Sequence, residues 1–289
     1  MIKLVKKLSY ICVKILILLD NFFKIFTNKI LFLGWFQHFL QERSYKSIQI
    51  LGRKINFFIP NQLTSAMVDS YFTKEPETHE WINNFEKKEN LIFWDIGANI
   101  GLYSIYNSLK NVNSLTIAFE PSSSNLRVLS RNISINNLEK YIKIMPIPLT
   151  NKENIFQLMN EGSFNEGGAL NSFGEPLDFR GKEFKSKMSY NLFGTTMNYL
   201  IENSILDIPD YIKIDVDGIE HLILEGGNNF LKNRKIKSLS IEINEDFKEQ
   251  FKNVLNLMSQ YEFKILHKKR NDKFYNDEFA NTYNYIFIR

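Results

Sequence analysis

A single cysteine, Cys12, serves the whole chain. It excludes an intramolecular disulfide framework and a multi-cysteine zinc site, and a reducing, cytoplasmic setting is the simplest expectation. No uncharged stretch reaches the ~20 apolar residues that cross a bilayer; Lys14 and Asp20 interrupt the most apolar region. No small-residue cleavage site follows that region, which argues against a secretory signal. Internal repeats are absent, and the only low-complexity feature is asparagine enrichment, read as genome composition because no spacing demands it.

What is present is ordinary in amount and uneven in placement. Across 289 residues, 44% hydrophobic and 24% charged suit one large soluble α/β domain with an extension. Residues 1–40 carry six lysines against Asp20, a net of +5, while the whole chain is only +4. The body is therefore close to neutral behind a basic, apolar head. That head reads as one or two amphipathic helices, packed on the main domain or lying on an anionic membrane surface. The packed arrangement is the simpler expectation, and peripheral membrane contact at the inner face is the sharper one.

Residues 41–89 read as a hairpin turning near Gly52, then helical pieces broken at Pro76. From residue 90 strands alternate with helices: strand 91–95, helix 100–109, strand 115–121, helix 123–136. A polar excursion at 150–192 reads as an acceptor-covering lid or an extended hairpin. Strand 211–216, a helix from Glu220, strand 237–244, a helix and two last strands complete the pattern. Such alternation implies right-handed crossovers and a parallel sheet, and the two final strands suggest an antiparallel edge.

The stretch "LIFWDIGANIGLYS" (91–104) runs from an apolar strand through Asp95 into a glycine turn and a helix. Glycine permits a sharp turn and close ligand approach. The spacing Gly97, Asn99, Gly101 lacks the central glycine that brings backbone against a pyrophosphate, which disfavours a dinucleotide. Leu102 and Tyr103 stand where a phosphate loop needs lysine and serine or threonine. A ligand without phosphates, such as S-adenosylmethionine, fits these absences. Glu120 ends the next strand in "AFEP", nineteen residues after Gly101, where a carboxylate can accept both ribose hydroxyls of a nucleoside.

In "YIKIDVDGIEHLILEGG", Asp215 ends an apolar strand and needs a reason to be there. It is the first candidate for a base, with His221 second. Asp217 reads as a helix N-cap with Gly218, although with Glu220 and His221 it follows near the same rim. His38, His79 and His267 have no motif context.

Taken together and in order, "DIGANIGLYS", "AFEP", "SINN", "KIDVDGIE" and "SIEINE" resemble the FkbM-type family of S-adenosylmethionine-dependent methyltransferases over about residues 90–270. The resemblance implies a class I Rossmann-like methyltransferase fold, and O-methylation of sugars, glycans or related small molecules. Carried over by position, Asp95, Gly97, Asn99 and Gly101 would form the methionine-side loop, Glu120 would hold the ribose, and Asp215 would face the acceptor. Met197 and Asn198 depart from the family's T-L-D or S-L-D.

Other classes are weighed by what is missing. There is no Asn/Asp-Pro-Pro-aromatic signature of amino-methylating nucleic-acid enzymes, and Cys12 is far from the turn where a cytosine-C5 enzyme needs its thiolate. The basic run "HKKR" (267–270) lacks interleaved aromatics, so no nucleic-acid partner is expected. No metal is assigned; a catechol-type site would combine Asp215 with Glu242 or Asn244. A non-catalytic cofactor or sugar binder docked at a membrane is the alternative from another class, and a dehydrogenase is disfavoured by Asn99.

Overall fold

The computed structural model describes residues 1–183, 185–270 and 279–289. The chain divides into two units, Met1–Tyr45 and Lys46–Arg289.

The first unit is a helical hairpin, α1 (Ile2–Thr27) and α2 (Phe32–Arg43). Asp20, which reads in sequence as an interruption of an apolar run, has a structural task. Its carboxylate accepts from the backbone N–H groups of Leu31 (2.7 Å), Phe32 (2.7 Å) and Leu33 (2.8 Å), satisfying the orphan donors at the start of α2. Phe23 packs on Phe32 beside it, ring centroids 5.2 Å apart. Leu4, Leu8, Ile11, Ile15, Leu19, Phe22 and Phe26 recur at spacings of three and four, so they share one face of α1, and all are exposed. By the same spacing Lys3, Lys6 and Lys24 fall on the far side of α1, and Lys7 and Lys14 flank the row. Among the described residues no helix is long and apolar enough to cross a membrane.

The second unit opens with the expected hairpin, β1 (Tyr45–Ile50) and β2 (Arg53–Phe58), followed by α3 (Gln62–Asp69) and α4 (Pro76–Asn83). Next come β3 (Ile92–Ile96), α5 (Leu102–Lys110), β4 (Leu115–Phe119), α6 (Ser123–Ile135) and β5 (Ile142–Met145). The polar excursion holds β6 (Ile155–Glu161), β7 (Ser172–Phe173) and β8 (Met188–Gly194), an antiparallel sheet ordered β7-β6-β8. It is an extended hairpin whose tip carries the loop discussed below. The chain ends with α7 (Met197–Glu202), β9 (Tyr211–Ile214), α8 (Glu220–Glu225), β10 (Ser238–Asn244), α9 (Lys248–Gln260), β11 (Lys264–Lys269) and β12 (Thr282–Ile288).

The main sheet is ordered β11-β12-β10-β9-β3-β4-β5. Strands β5, β4, β3, β9 and β10 are parallel, and β12 runs antiparallel to both β10 and β11. The edge of the sheet is therefore antiparallel, as the sequence pattern implies, and is built by β12 and β11 together. Strand β12 inserts second from the edge, and β11 closes the sheet. This is the class I Rossmann-like methyltransferase arrangement. From β3 the chain winds outward to β4 and β5, then reverses to β9 and β10, so β3 and β9 flank the switch point.

One face of the sheet is conventionally apolar. Trp94, Ile96, Ile212, Ile214, Leu239, Ile241 and Ile243 pack there against α7, α8 and α9 through Met197, Ile223, Leu224 and Val254. Side chains alternate along strands, so the intervening residues Asp95, Lys213, Ser240 and Glu242 face the other side. Buried parallel strands are usually apolar on both faces; this departure positions the site. Asparagine also has a use here. Asn132 accepts from Phe58 N (2.8 Å) and donates to Ile100 O (2.9 Å), while Asn136 bonds Asn56 through both its N–H and C=O, fastening β2 to α6.

Candidate active site

Two clefts open at the carboxyl ends of β3 and β9. The first is walled by Ile96, Phe119, Leu149, Met159 and Ile219 and reached by Glu120. The second, of about 500 Å³, is walled by Lys74, Glu75, Tyr103, Lys213, Glu242 and Asn284, and its size is usual for small-molecule sites. Gly97, Asn99, Gly168, Ala169, Asp215 and Asp217 line both clefts.

The turn after β3 is made by three left-handed residues, Gly97 (φ 85°), Asn99 (φ 50°) and Gly101 (φ 89°). The space left by the two missing side chains is filled by protein, not kept open for a ligand. A Cβ on Gly97 would lie 1.8 Å from the carbonyl oxygen of Asp215, and one on Gly101 would lie 2.6 Å from Leu129 Cδ1. Gly97 thus lets β9 come close enough to join the two clefts. Asp95 is buried beneath the turn, accepting from Ser104 Oγ at 2.5 Å in the first turn of α5, and lines neither cleft. Burial pushes its carboxyl above the usual range, opposed by Lys213 and Ser104.

Glu120 is 4% exposed and anchored at both oxygens, by Asn99 N and Ser122 N, each at 2.8 Å. Burial raises its pKa to about 7 against those backbone donors. Each carboxylate oxygen can accept more than one bond, so capacity remains toward the cleft. Asn99 holds Gly168 O through Nδ2 (3.2 Å), and its buried Oδ1 has no partner.

The 162–171 loop at the tip of the β6–β7–β8 sheet closes over this turn. Asn125 brackets it, accepting from Gly167 N (2.9 Å) and donating to Gly168 O (3.0 Å). Leu170 N donates to Asp217 at 2.8 Å. That bond corrects the reading of Asp217 as a helix cap: its backbone is left-handed (φ 63°), α8 starts at Glu220 with no side-chain cap, and the carboxylate serves the loop instead. Its pKa is pushed up to about 6 by burial and by Asp215.

Asp215 is the hinge between the clefts. Its Oδ2 meets Lys213 Nζ at 2.5 Å. Lys213 is 1% exposed and sits 5.1 Å from the centre of the Tyr103 ring. Burial works against its charge, but Asp215, Glu75 and Asp95 outweigh it and hold its pKa above the ordinary lysine value. Glu75 is buried as well; Lys74 at 3.2 Å and Lys213 hold its pKa below the carboxylate range despite burial. Lys213 and Glu75 are not singled out by the sequence motifs. The available signal was a lysine two residues before Asp215 in one strand, hence on the same face.

The other sequence candidates are not brought to the clefts. His221 is 8% exposed, lies edge-on to Phe247 with centroids 5.9 Å apart, and lines neither cleft; burial lowers its pKa. Glu220 braces the loop, accepting from Val216 N (3.1 Å) and Gly218 N (3.2 Å) and from Gln250, with its pKa raised to about 8 by burial. Asn198, at the departure from the family pattern, joins Asn228 (2.8 Å) and Asn229 N (3.2 Å) and is a structural joint. Among the described residues no group of three or more His, Cys, Asp or Glu is arranged to hold a metal ion.

The methyltransferase FkbM domain model matches residues 95–265, more than half of the chain, and the chain belongs to that family, whose methyl donor is S-adenosylmethionine. The methyltransferase sdnD of Sordaria araneosa is 26% identical over 155 residues, covering 46% of this chain and 58% of that protein. The chain thus spans less than two thirds of that relative. Among solved structures, M. capricolum TrmK in complex with S-adenosyl-homocysteine is 15% identical with a TM-score of 0.41, covering 74% of this chain and 66% of that one. P. horikoshii TYW2 in complex with MeSAdo is 12% identical with a TM-score of 0.43, covering 84% and 70%.

Proposed function

We propose that the chain is an S-adenosylmethionine-dependent methyltransferase acting on a hydroxyl of a sugar, glycan or related small molecule. The observation that carries this reading is the shared wall: an apolar cleft with a buried carboxylate and a polar cleft meet at Gly97, Asn99 and Asp215. The first cleft carries groups suited to a nucleoside, with Glu120 toward ribose hydroxyls, the unpaired Asn99 Oδ1 toward a donor such as an ammonium, and Ile96, Phe119 and Leu149 around the base. Gly97 and Gly101 shape the methionine-side loop, and Asp95 stiffens it from below.

When bound, S-adenosylmethionine supplies an electrophilic methyl group on its sulfonium. The chain's own work is to align the acceptor oxygen, which is where most of the catalysis of an in-line displacement lies. Asp215 keeps one carboxylate oxygen free of Lys213 and takes the proton of the hydroxyl as its oxygen gains the methyl. Lys213 keeps that carboxylate in place. The 162–171 loop, held by Asn125 and Asp217, excludes water from the wall. Calorimetry with S-adenosylmethionine, followed by transfer of labelled methyl into a glycan or lipid-linked sugar extract, tests the reading. Absence of cofactor binding would contradict it.

We further propose that the bare face of α1 lies on an anionic lipid surface, with Leu8, Ile15, Phe22 and Phe26 toward acyl chains and the lysines toward headgroups. The +5 head and the exposed apolar row support this source of partner.

A further inference from the structure

The acceptor cleft contains more than Asp215, and what lines it is set by strand register. Ser240 pairs with Lys213, and Glu242 pairs with Asn284 across the antiparallel ladder. One step beyond the last β9–β10 pair, Asp215 comes beside Glu242. Asp215, Glu242 and Asn284 therefore form a row on the polar face, at roughly the 5 Å spacing of neighbouring strands.

The hydrogen-bonding state of this row is specific. Asn284 is 5% exposed, and its Nδ2 donates to Glu77 at 2.8 Å, which fixes the amide's orientation. Its buried Oδ1 has no partner. Three cations line this cleft, and all are engaged: Lys74 with Glu75, Lys213 with Asp215, and Arg270 over the Tyr283 ring, 4.8 Å from its centre. Glu242 stands among Asp215, Glu75 and Asp217, and burial together with these carboxylates raises its pKa well above the ordinary value. Five carboxylates, Glu75, Glu77, Asp215, Asp217 and Glu242, line the cleft against these three cations, so negative charge is in excess around Glu242, and Asn284 Oδ1 is an acceptor without a donor. A neutral diol could donate to it but would leave the charge uncompensated, whereas an ammonium supplies three donors and a positive charge.

We propose that Glu242 and Asn284 form a subsite for an ammonium group carried by the methyl acceptor, next to the hydroxyl held by Asp215. The acceptor class is an amino alcohol of sugar size, such as a 2-amino sugar, in which adjacent substituents span the Asp215–Glu242 spacing. This assignment rests on the second cleft being the acceptor cleft. It makes Glu242 and Asn284 specificity-determining residues, touching the acceptor and not the cofactor.

The test is calorimetric titration of the full chain, saturated with S-adenosyl-homocysteine, with glucosamine, N-acetylglucosamine and glucose. Glucosamine is expected to bind at least tenfold more tightly than either neutral sugar. Glu242→Gln is expected to abolish that preference and Asn284→Ala to reduce it severalfold, with affinity for S-adenosyl-homocysteine unchanged as the control for folding. Equal binding of the three sugars, no binding of glucosamine, or a preference that survives Glu242→Gln overturns the proposal. The same titrations without S-adenosyl-homocysteine separate the two readings: a chain that takes the amine but no S-adenosyl-homocysteine contradicts the cofactor assignment alone.

Discussion

The two clefts share a wall but are made in different ways. The cleft proposed for the cofactor draws its key groups from adjacent stretches: the turn at 97–101, Glu120 at the end of the neighbouring strand, and Asn125 in the helix that follows. The cleft proposed for the acceptor gathers Glu75 before α4, Lys213 on β9 and Asp215 just after it, Glu242 on β10 and Asn284 on β12. Its composition depends on which residues the ladders bring opposite one another. A one-residue slip of β12 would turn Asn284 to the apolar face. A site that only has to hold a cofactor can be written into one βαβ unit, while a site that selects an acceptor is distributed over the sheet.

Substitutions that separate the two constructions differ most in their effect on the fold. Gly97→Val is expected to be the most damaging, because its Cβ would collide with the Asp215 carbonyl at φ 85°. Backbone cannot yield as a side chain can, and a loss of more than about 2 kcal/mol is expected in urea unfolding. Gly101→Ala carries the same left-handed strain (φ 89°) but meets the end of a flexible side chain, Leu129, in place of backbone, and should cost less. If the two glycine variants are equally stable, the turn is not clamped against β9.

Glu120→Ala is expected next in size, weakening S-adenosylmethionine binding by about 1–3 kcal/mol through lost hydrogen bonds to a buried carboxylate. It should leave amine binding in the second cleft unchanged. An unaltered cofactor affinity would show that the ribose is held elsewhere.

In the helical unit, flotation with anionic vesicles at low salt and release at high salt is expected for the full chain. Phe22→Glu with Phe26→Glu is expected to abolish flotation without changing cofactor affinity. Flotation that persists in this variant, or that is equal with neutral vesicles, contradicts the lipid assignment.

The smallest expected effect is on pH dependence. Burial raises Glu120 to about 7 and Glu220 to about 8, from an ordinary value of 4.5. For an acid whose folded pKa lies above its unfolded one, the stabilising contribution is complete below the unfolded value and is lost as pH rises through the folded one. The melting temperature of the cofactor-free chain should therefore fall by a few degrees from about pH 5 to about pH 8. Glu220→Gln should flatten part of that fall. A profile that rises over the same window would contradict the buried state of these carboxylates.

Much of the fold was legible because its signals are local. The β3–turn–α5 pattern, Glu120 and Asp215 all stand at strand ends marked by glycine or proline within a few residues. The hairpin at Gly52 was legible for the same reason. What was missed is non-local. Asp217 looks like a helix cap beside Gly218, but its partner is Leu170 N, forty-seven residues away. The helix from Glu220 ends at its glycines as the sequence implies, but the contacts of Gly226 with Thr150 and of Gly227 with Met197 are not visible there. The position of β12 between β10 and β11 cannot be read from two consecutive strands. Without that insertion, Asn284 has no visible relation to Glu242, which the sequence offered only as a metal ligand.

The central claim is that both clefts serve one reaction, meeting at Asp215. Its most direct test is labelled methyl transfer by Asp215→Asn beside the parent chain, with cofactor affinity measured on the same samples. The substitution keeps size and hydrogen bonding but removes the base, and Lys213 retains Glu75 and Asp95 as neighbours. Cofactor affinity is expected to stay within about threefold while transfer falls by ~10²–10⁴. Transfer at a near-parental rate would contradict the account, because the carboxylate shared by the two clefts would then take no part in the chemistry between them.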